Sequence, residues 1–427
     1  MPTTRRAARW PASLRRHGGG ERRMEARAMS GVSVADPLLA WRSEFPSVET
    51  TLHFASHTLG AMPRGVEDAL RRYARLWTSR GIRAWEDEWF ALPTALGDLL
   101  AGILGAAPGT VTMCENVTIA QAIALSAVDF AGERRRLVCT GGDFPSLLYL
   151  YEGLARRGAE VVRVPARPAP PPDEMPHHVA VEEVVAALDE RTAVVALSHV
   201  LFRTSEVLDL APIVQRAHEV GALVLVDAYQ SVGTVPVDVA ALGVDLLTGG
   251  SVKWLCGGPG VGYLYASPQV RDRLEPAITG WFAHADPFAF DTGPVRRDSG
   301  ARRFYTGTPG IPGYAAARPG YEIVARIGVD AIRDKSLRQT ARLIALADDR
   351  ELRVVSPRTP ERRGGTVCLD VPHADVVCRE LLRSDVLLDF RPGVGLRLAP
   401  HFYTRDDELD RVMQRVAEEV RKAGGRR

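Results

Sequence analysis

The chain has 427 residues, of which 46% are hydrophobic and 25% are charged, with 39 Gly and 29 Pro. These values are ordinary for a folded protein and exclude a disordered chain, a collagen-like repeat and a disulfide scaffold. The formal net charge of +2 excludes a strong electrostatic field, so neither nucleic acid nor membrane is an expected partner. Five cysteines without a CxxC pair fit a reducing cytoplasm, where we expect the protein to lie, and argue against a cysteine-based zinc site; we expect no metal.

Lysine is rare among the basic residues. Of the 54 Lys and Arg residues, only Lys253, Lys335 and Lys422 are lysines. A lysine amine can lose its proton in a protein whereas an arginine guanidinium cannot, so each lysine is a candidate for chemistry that needs a neutral amine. Charged neighbours around Lys335 and Lys422 predict exposed helix faces, while Lys253 alone lies among glycines and apolar residues.

The first 36 residues form a basic tail. Positions 1–30 hold eight Arg and two Glu and lack the apolar segment of a secretory signal. We predict that 1–36 is disordered, or that translation starts later, at Met24 or Met29. A targeting or nucleic-acid-binding arm is the alternative. No apolar run of the chain reaches the roughly 18 residues that a membrane span needs.

Residues 37–105 are predicted to be mostly helical, and short apolar strands then alternate with amphipathic helices. Strands that are apolar along their whole length and connected by helices predict a mainly parallel sheet covered on both faces. The predicted strands are 136–140, 160–164, 194–198, 223–227, 244–248 and 262–265. The predicted helices between them include 117–130, 145–157 and 179–189.

The pattern changes after Pro309. A long helix near 315–346 is followed by two further strands and two helices, which together predict a smaller α+β domain. These elements are the strands 366–371 and 395–398 and the helices 375–383 and 405–422. We therefore divide the chain into the tail at 1–36, a large α/β domain at 37–313 with an N-terminal helical segment, and a small domain at 314–427.

Asp227 and Lys253 are the strongest candidates for chemistry. Asp227 ends the predicted strand 223–227, and open α/β sheets bind ligands at the carboxyl ends of their strands. Lys253 follows 26 residues later with no acidic residue within seven positions on either side. Burial among small apolar neighbours is expected to lower the pKa of this amine, as an imine-forming lysine needs.

Together, these two residues predict a site for pyridoxal 5'-phosphate (PLP), whose aldehyde bonds to a lysine and whose ring nitrogen pairs with a carboxylate. The phosphate needs an anion site. Residues 115–118 lead into the predicted helix 117–130, whose free N-terminal amides together with the Thr118 hydroxyl suit an anion. Phe144, between a predicted strand and Pro145, is a candidate for covering the cofactor ring.

Three stretches resemble the class V group of fold-type I PLP enzymes, which contains aminotransferases, cysteine desulfurases and kynureninases. They are VDAYQSVG at 226–233, SVKWLCGGPGVG at 251–262 and RFYTGTP at 303–309. Within the group, the chain is most similar to kynureninases. The stretches that carry this similarity are TLGAMPRG at 58–65, RAWEDEWFALP at 83–93, GDLLAGILGA at 97–106, FPS at 144–146, GWF at 280–282 and LRLAP at 396–400.

The resemblance covers the chain from about residue 45 to the C-terminus. It implies the fold-type I PLP-transferase architecture and homodimers with shared active sites. It also implies an amino-acid substrate, since kynureninases hydrolyse the Cβ–Cγ bond of kynurenine to give anthranilate and alanine. On this basis we expect hydrolysis of kynurenine or of a related β-acyl amino acid.

The resemblance further implies roles for individual residues. Lys253 would bind the cofactor's aldehyde, Asp227 would pair with its ring nitrogen, and Arg397 would bind the substrate carboxylate through its planar guanidinium. The other residues that would contact the cofactor by position are Val117, Thr118, Phe144, Ser198 and Gln230, together with Trp281 and Thr308 of the neighbouring subunit.

Three positions depart from the kynureninase pattern. Kynureninases have a His three residues after the Asp, where this chain has Gln230, the residue found in class V aminotransferases and desulfurases. They have a Tyr before the lysine, where this chain has Val252, and usually an Asp after the FPS motif, where it has Leu147. All three positions concern contacts to the cofactor.

A class V aminotransferase is the main alternative, because it would use the same Lys253 and Asp227 and carry Gln230. A cysteine desulfurase needs a cysteine in a mobile loop, whereas Cys368 is predicted in a strand and Cys378 on a helix. A non-enzymatic PLP-binding protein, such as a PLP-dependent transcription factor, would need a DNA-binding module longer than the basic tail.

Overall fold

The computed structural model of the protein describes residues 36–170, 173 and 175–425. The predictions of a disordered tail and of a later start fall at 1–35, outside the described residues. None of the helices in the described ranges has the length and apolar content that crossing a bilayer requires. The same ranges hold no cluster of three or more acidic, His or Cys side chains placed to bind a metal.

Thirteen strands form three sheets in the described part of the chain. In chain order they are β1 (Leu52–His53), β2 (Val111–Cys114), β3 (Arg136–Thr140), β4 (Glu160–Val164), β5 (Thr192–Ser198), β6 (Leu223–Asp227), β7 (Leu246–Gly250), β8 (Gly262–Ala266), β9 (Arg353–Val354), β10 (Val367–Asp370), β11 (Val386–Leu387), β12 (Asp389–Arg391) and β13 (Gly395–Leu398). The largest sheet has seven strands in the order β2-β8-β7-β6-β5-β3-β4. Its strands β3 to β7 pair in parallel, and β8 pairs antiparallel with β7 and β2.

A separate antiparallel sheet, in the order β12-β13-β10-β9, is built from the C-terminal part of the chain. The remaining two strands, β1 and β11, form a short parallel pair. The predicted fold class, a large mainly parallel α/β sheet with a smaller α+β C-terminal part, is therefore confirmed. β1, β2, β9, β11 and β12 were not predicted, because each of them is only two to four residues long and carries little periodic signal.

Helices cover both faces of the large sheet. In chain order the α-helices are α1 (Gly65–Arg80), α2 (Leu92–Ile103), α3 (Val117–Leu125), α4 (Pro145–Ala155), α5 (Val181–Ala186), α6 (Ala211–Glu219), α7 (Val239–Leu242), α8 (Pro268–Arg271), α9 (Ile311–Ile327), α10 (Val329–Asp348), α11 (Ala374–Leu382) and α12 (Asp406–Gly424). Along β6, Val224 and Val226 join one hydrophobic cluster while Leu225 joins the other. Alternation of this kind shows that the strand is buried on both faces.

The structure differs from the prediction in several element bounds, and the helix expected at 117–130 ends at Leu125. The single helix expected near 315–346 is two helices, α9 and α10, which meet at Gly328, whose φ of 82° ends the first helix. This backbone conformation favours glycine. The strand expected at 244–248 is Leu246–Gly250, so a pair of glycines ends it. Because α9 runs through residues 313 and 314, the proposed domain boundary lies inside a helix, and the domain division stays a prediction.

The prediction that Lys335 lies on an exposed helix face is wrong. Its side chain is buried, and Nζ donates a hydrogen bond to the carbonyl of Phe402 at 2.6 Å. The reason is that α10 packs against α12, so elements distant in sequence decide which face of α10 is covered. Lys422 is exposed, as expected, and pairs with Glu419 at 2.6 Å.

Candidate active site

A cavity of about 470 Å³ opens at the carboxyl ends of β5 and β6, the edge at which an open parallel sheet binds ligands. Its volume lies in the range of small-molecule sites. We call it the Lys253 cavity. Seven of the ten predicted site residues line it, and the full lining is Asn116, Val117, Thr118, Ile119, Phe144, Ser146, Ser198, Val200, Phe202, Asp227, Tyr229, Gln230 and Lys253.

Asp227 is the last residue of β6, and the parallel register places Ser198 of β5 beside it. Its Oδ1 accepts a hydrogen bond from the Tyr229 amide at 3.0 Å. Burial raises the pKa of Asp227 to about 6, while that hydrogen bond and the nearby Lys253 amine act in the opposite direction. A buried carboxylate at this place can hold a cationic group, such as a protonated ring nitrogen.

Lys253 follows β7 and brings its amine to the same cavity. Burial lowers its pKa to about 7, and the Asp227 carboxylate offsets part of that effect. The Nζ atom lies 4.2 Å from the centroid of the Tyr229 ring and 5.7 Å from that of Phe144. A substantial fraction of this amine is therefore neutral near pH 7, and a neutral amine can attack an aldehyde.

The N-terminus of α3 forms the part of the cavity that can hold an anion. Asn116 caps the helix and accepts a hydrogen bond from the amide of Ile119 at 3.0 Å. Val117 and Thr118 belong to the first turn, where amides have no partner inside the helix, and both residues line the cavity. Their free N–H groups and the positive end of the helix dipole suit a phosphate.

Asp143 is a buried carboxylate that the sequence reasoning missed. Its Oδ2 accepts hydrogen bonds from the amide and hydroxyl of Thr140, at 2.7 and 3.0 Å, and its Oδ1 accepts one from the Ser198 amide at 2.7 Å. Because Thr140 ends β3 and Ser198 ends β5, one side chain joins the ends of two neighbouring strands. It also precedes Phe144, so it helps to hold that ring at the cavity. Its position directly before Phe144 was the available sequence signal.

Gln230 lines the cavity, and both ends of its amide already have partners. Nε2 donates to the His57 carbonyl at 3.1 Å, and Oε1 accepts a hydrogen bond from Trp254 Nε1 at 3.2 Å. These bonds fix the amide in one orientation. Its contact with the cofactor stays a prediction.

Val252 and Leu147, the other two departures from the kynureninase pattern, offer no polar group to the cavity. Leu147 is fully buried in the hydrophobic core on one side of the sheet. Val252 precedes Lys253, and its backbone carbonyl accepts a hydrogen bond from the Gly60 amide at 2.8 Å. The side chains of Val252 and Leu147 therefore cannot supply the phosphate contact or the proton transfer that a hydroxyl or a carboxylate could supply at these positions.

Arg397 lies on β13 directly opposite Asp389 of β12. Its Nε and Nη2 donate to the two carboxylate oxygens of Asp389, at 2.7 and 2.5 Å, and Nη1 donates to the Phe202 carbonyl at 2.5 Å. The side chain is only 2% exposed. Asp389 therefore occupies the edge of the guanidinium that was predicted to bind the substrate. A substrate carboxylate must displace Asp389 or use the remaining N–H of Nη1.

His57 and Thr58 complete the surroundings of Asp389, and the sequence reasoning missed this cluster. His57 Nε2 hydrogen-bonds to Oδ1 at 2.9 Å, and the Thr58 hydroxyl donates to Oδ2 at 2.6 Å. Burial lowers the pKa of His57 to about 4, so its ring is neutral at pH 7. Burial would raise the pKa of Asp389, but its hydrogen bonds to His57 and Arg397 and the Arg397 charge hold it well below its usual range.

Trp281 and Thr308 do not line the Lys253 cavity. They border a second cavity of about 490 Å³, most of whose lining residues are aromatic or apolar. These are Ile82, Trp85, Phe90, Phe282 and Phe288, with Arg83 and Glu86 at the same cavity. The contact of Trp281 and Thr308 with a cofactor phosphate therefore depends on a neighbouring subunit and stays a prediction.

PLP fits the Lys253 cavity, because it needs an amine for its aldehyde, a carboxylate for its ring nitrogen and an anion site for its phosphate. Lys253, Asp227 and the first turn of α3 can supply these three contacts within one space of suitable volume. The sheet and the cavity at its carboxyl edge agree with the fold-type I PLP-transferase architecture that the sequence resemblance implies.

Comparisons with known proteins agree with this class. The aminotransferase class-V family matches residues 63–386. The chain is 33% identical over 386 residues to a kynureninase of Burkholderia pseudomallei (strain 1106a), covering 87% of this chain and 89% of that protein. It is 32% identical over 406 residues to a kynureninase of Deinococcus radiodurans, covering 91% of this chain and 95% of that protein.

Solved structures share the fold at lower identity. The apo structure of a cysteine desulfurase from Thermococcus onnurineus NA1 has a TM-score of 0.78 at 20% identity, covering 90% of this chain and 98% of that one. A C-DES mutant with glycine covalently linked to the PLP cofactor has a TM-score of 0.78 at 22% identity, covering 88% and 99%. The chain belongs to the aminotransferase class V family of PLP-dependent enzymes, and PLP is its cofactor.

Lys253 is expected to react with PLP at a lower pH than an ordinary lysine does. Only the neutral amine is nucleophilic, and burial lowers the pKa of Lys253 to about 7, so the neutral fraction rises with pH up to that value. The rate of PLP uptake by the apoprotein should therefore rise with pH and level off just above pH 7. Stopped-flow absorbance of the bound cofactor measures this rate.

Two controls make this experiment specific. The variant Lys253→Ala should take up no PLP covalently. The rate at which PLP reacts with Nα-acetyllysine, whose amine pKa is about 10.4, measured over the same pH range, corrects for the titration of PLP itself. A wild-type rate that climbs in parallel with the acetyllysine reaction toward pH 10 would contradict the lowered pKa.

Proposed function

We propose that the protein is a kynureninase-like hydrolase that cleaves the Cβ–Cγ bond of kynurenine or of a related β-acyl amino acid. Kynureninase relatives that match most of the chain support the reaction type. The observation that carries the proposal is an aromatic wall beside the buried amine. Phe144 and Phe202 pack edge to face at 5.1 Å and both line the Lys253 cavity.

This wall favours an aryl side chain on the substrate. Ile119 and Val200 extend the apolar surface next to Phe144 and Phe202, and aromatic or apolar groups gain from burial against such a surface. The aryl ketone of kynurenine has the required apolar character. A small polar side chain would leave the wall exposed to water.

Asp227 and Lys253 have different roles in the proposed mechanism. Bound PLP supplies an aldehyde and an electron-accepting ring. Asp227 holds the ring nitrogen protonated, and Lys253 Nζ removes the proton from the substrate Cα. In the net reaction the Cβ–Cγ bond breaks, the hydroxyl of one water bonds to Cγ, and Cβ gains a proton. The products are anthranilate and alanine.

Cysteine desulfurase activity is not supported, although desulfurases share the fold. All five cysteines are buried in the structure. Burial raises the thiol pKa of both Cys368 and Cys378 to about 11, so neither is a reactive thiolate at neutral pH. A class V aminotransferase remains the second candidate, because Gln230 stands where kynureninases have His.

Product analysis distinguishes these functions. We expect the PLP-loaded enzyme to convert L-kynurenine or 3-hydroxykynurenine into the corresponding anthranilate and an equal amount of alanine, which fluorescence and chromatography measure. The matched control is Lys253→Ala, which should form neither product. If kynurenine and 3-hydroxykynurenine give no anthranilate, while they or a panel of other amino acids give a ketoacid, the hydrolase is overturned and the aminotransferase is supported.

We further propose that Arg397 binds the substrate carboxylate. Lysine cannot make the bidentate contact that a guanidinium makes, so Arg397→Lys should raise KM roughly tenfold or more, with little change in PLP affinity. Steady-state kinetics and equilibrium dialysis with PLP measure the two effects.

The small sheet offers a matched control for this substitution. Arg353 and Asp370 form a second cross-strand pair, at 3.0 Å, in which both side chains are about half exposed. Arg353→Lys should leave KM within about twofold of wild type, because exposed pairs contribute little. If the two variants raise KM equally, Arg397 has no special part in substrate binding.

We also propose, on the resemblance to kynureninases, that the protein works as a cytoplasmic homodimer in which Trp281 and Thr308 approach the phosphate of the neighbouring site. Trp281 and Thr308 border a cavity separate from the Lys253 cavity of their own chain, which supports this proposal. Their aromatic surroundings are therefore available to contact the Lys253 cavity of a neighbouring subunit. Exposed aromatic side chains nearby, Phe288 and Phe290, give the surface the character of an interface.

Mixed dimers test the shared site. The variants Lys253→Ala and Trp281→Ala/Thr308→Ala should each be nearly inactive as homodimers, since every site lacks either its amine or its phosphate contacts. After subunit exchange, half of the dimers are mixed and hold one intact site, so about a quarter of the wild-type activity should return. No recovery in a mixture shown by mass spectrometry to contain mixed dimers would contradict shared sites.

A further inference from the structure

Tyr229 lines the Lys253 cavity, and the mechanism above gives it no part. It lies two residues after Asp227, and its amide donates a hydrogen bond to that carboxylate. The centroid of its ring is 4.2 Å from Lys253 Nζ, closer than the Phe144 ring at 5.7 Å. The Tyr229 ring therefore lies beside the Lys253 amine, and the Tyr229 backbone amide contacts the Asp227 carboxylate.

Gly250, at the end of β7, provides the space for this ring. A Cβ atom built on Gly250 would lie 2.6 Å from Cε2 of Tyr229 and even closer to its Cζ and Oη. Real Cβ atoms do not approach other atoms so closely, so any side chain at 250 would have to move the ring. Gly250 is not among the residues with positive φ, so the position requires glycine for its small size alone.

These two observations locate the Tyr229 ring. Its hydroxyl end lies against the backbone of Gly250, three residues before Lys253, and its face lies toward the lysine amine. A PLP ring that contacts Asp227 at its nitrogen and Lys253 at its aldehyde must span the space between these two residues. The Tyr229 amide lies at the Asp227 end of that space, and the Tyr229 ring lies at the Lys253 end.

We propose that Tyr229 is a positioning residue for PLP, whose ring packs against the cofactor beside Lys253, and that Gly250 is required because it admits this tyrosine. The proposal rests on the cofactor of the family and not on the hydrolytic reaction. It is therefore tested by PLP binding alone, whether or not kynurenine is turned over.

Two variants of Tyr229 give the first test. Each holoenzyme is dialysed against decreasing PLP concentrations, and the bound cofactor is measured by absorbance. Tyr229→Ala should weaken PLP binding roughly tenfold, because an aromatic contact and its buried area are lost. Tyr229→Phe retains the ring and should bind within about twofold of wild type. Wild-type affinity in Tyr229→Ala would overturn the proposal.

A double-mutant cycle tests the part played by Gly250. Gly250→Ala should weaken PLP binding at least as much as Tyr229→Ala does, because the new methyl group displaces the ring. In the Tyr229→Ala background the same change should alter the affinity by less than about twofold, since the space is then empty. An equal loss in both backgrounds would show that Gly250 does not act through Tyr229.

The neighbouring glycine is the matched control. A Cβ on Gly249 would lie 2.5 Å from Cζ of Tyr263, a buried tyrosine that does not line the cavity, and consecutive residues of a strand face opposite sides. Gly249→Ala should therefore have the same effect with Tyr229 present or absent. Thermal unfolding of the apoproteins identifies any glycine variant that fails to fold. If one does, PLP binding by Tyr229→Ala and Tyr229→Phe decides the proposal.

Discussion

The burial of one amine and one carboxylate at the same edge of the sheet is the constraint on which the rest of the structure depends. Burial disfavours the charge of both Lys253 and Asp227, and each group offsets part of the cost for the other. An unpaired buried charge costs several kcal/mol, so the two must be held within range of one another. The parallel register of β5, β6 and β7 does this, and Asp143 ties the adjoining strand ends together.

The second charged centre is assembled by the small sheet in a different way. Arg397 and Asp389 face each other across β12 and β13, with His57 and Thr58 from the N-terminal part of the chain closing around the carboxylate. The buried guanidinium therefore keeps its orientation without a ligand. On the proposal that Arg397 binds the substrate carboxylate, that carboxylate would meet a guanidinium already paired with Asp389, so displacing this internal acid would offset part of the gain on binding.

The chemical centre could be predicted from the sequence because its signals are local. An apolar strand ending in Asp227 and a lysine among glycines are each visible within ten residues, and the structure brings both to one cavity. The Asp389 cluster could not be found this way, since His57 and Thr58 lie more than 300 residues from Asp389 along the chain. Lys335 was misjudged for the same reason, because its burial depends on Phe402 and on the packing of α10 against α12, which lie far along the chain. The break at Gly328 was missed because the apolar period continues on both sides.

The two glycines that end β7 have a consequence for which substitutions this chain tolerates. Gly249 and Gly250 admit Tyr263 and Tyr229 from opposite faces of the strand, so each glycine is matched to one tyrosine. A side chain at 250 displaces the Tyr229 ring unless Tyr229 is also replaced by a smaller residue. The effect of a substitution at either position therefore depends on the residue at the other.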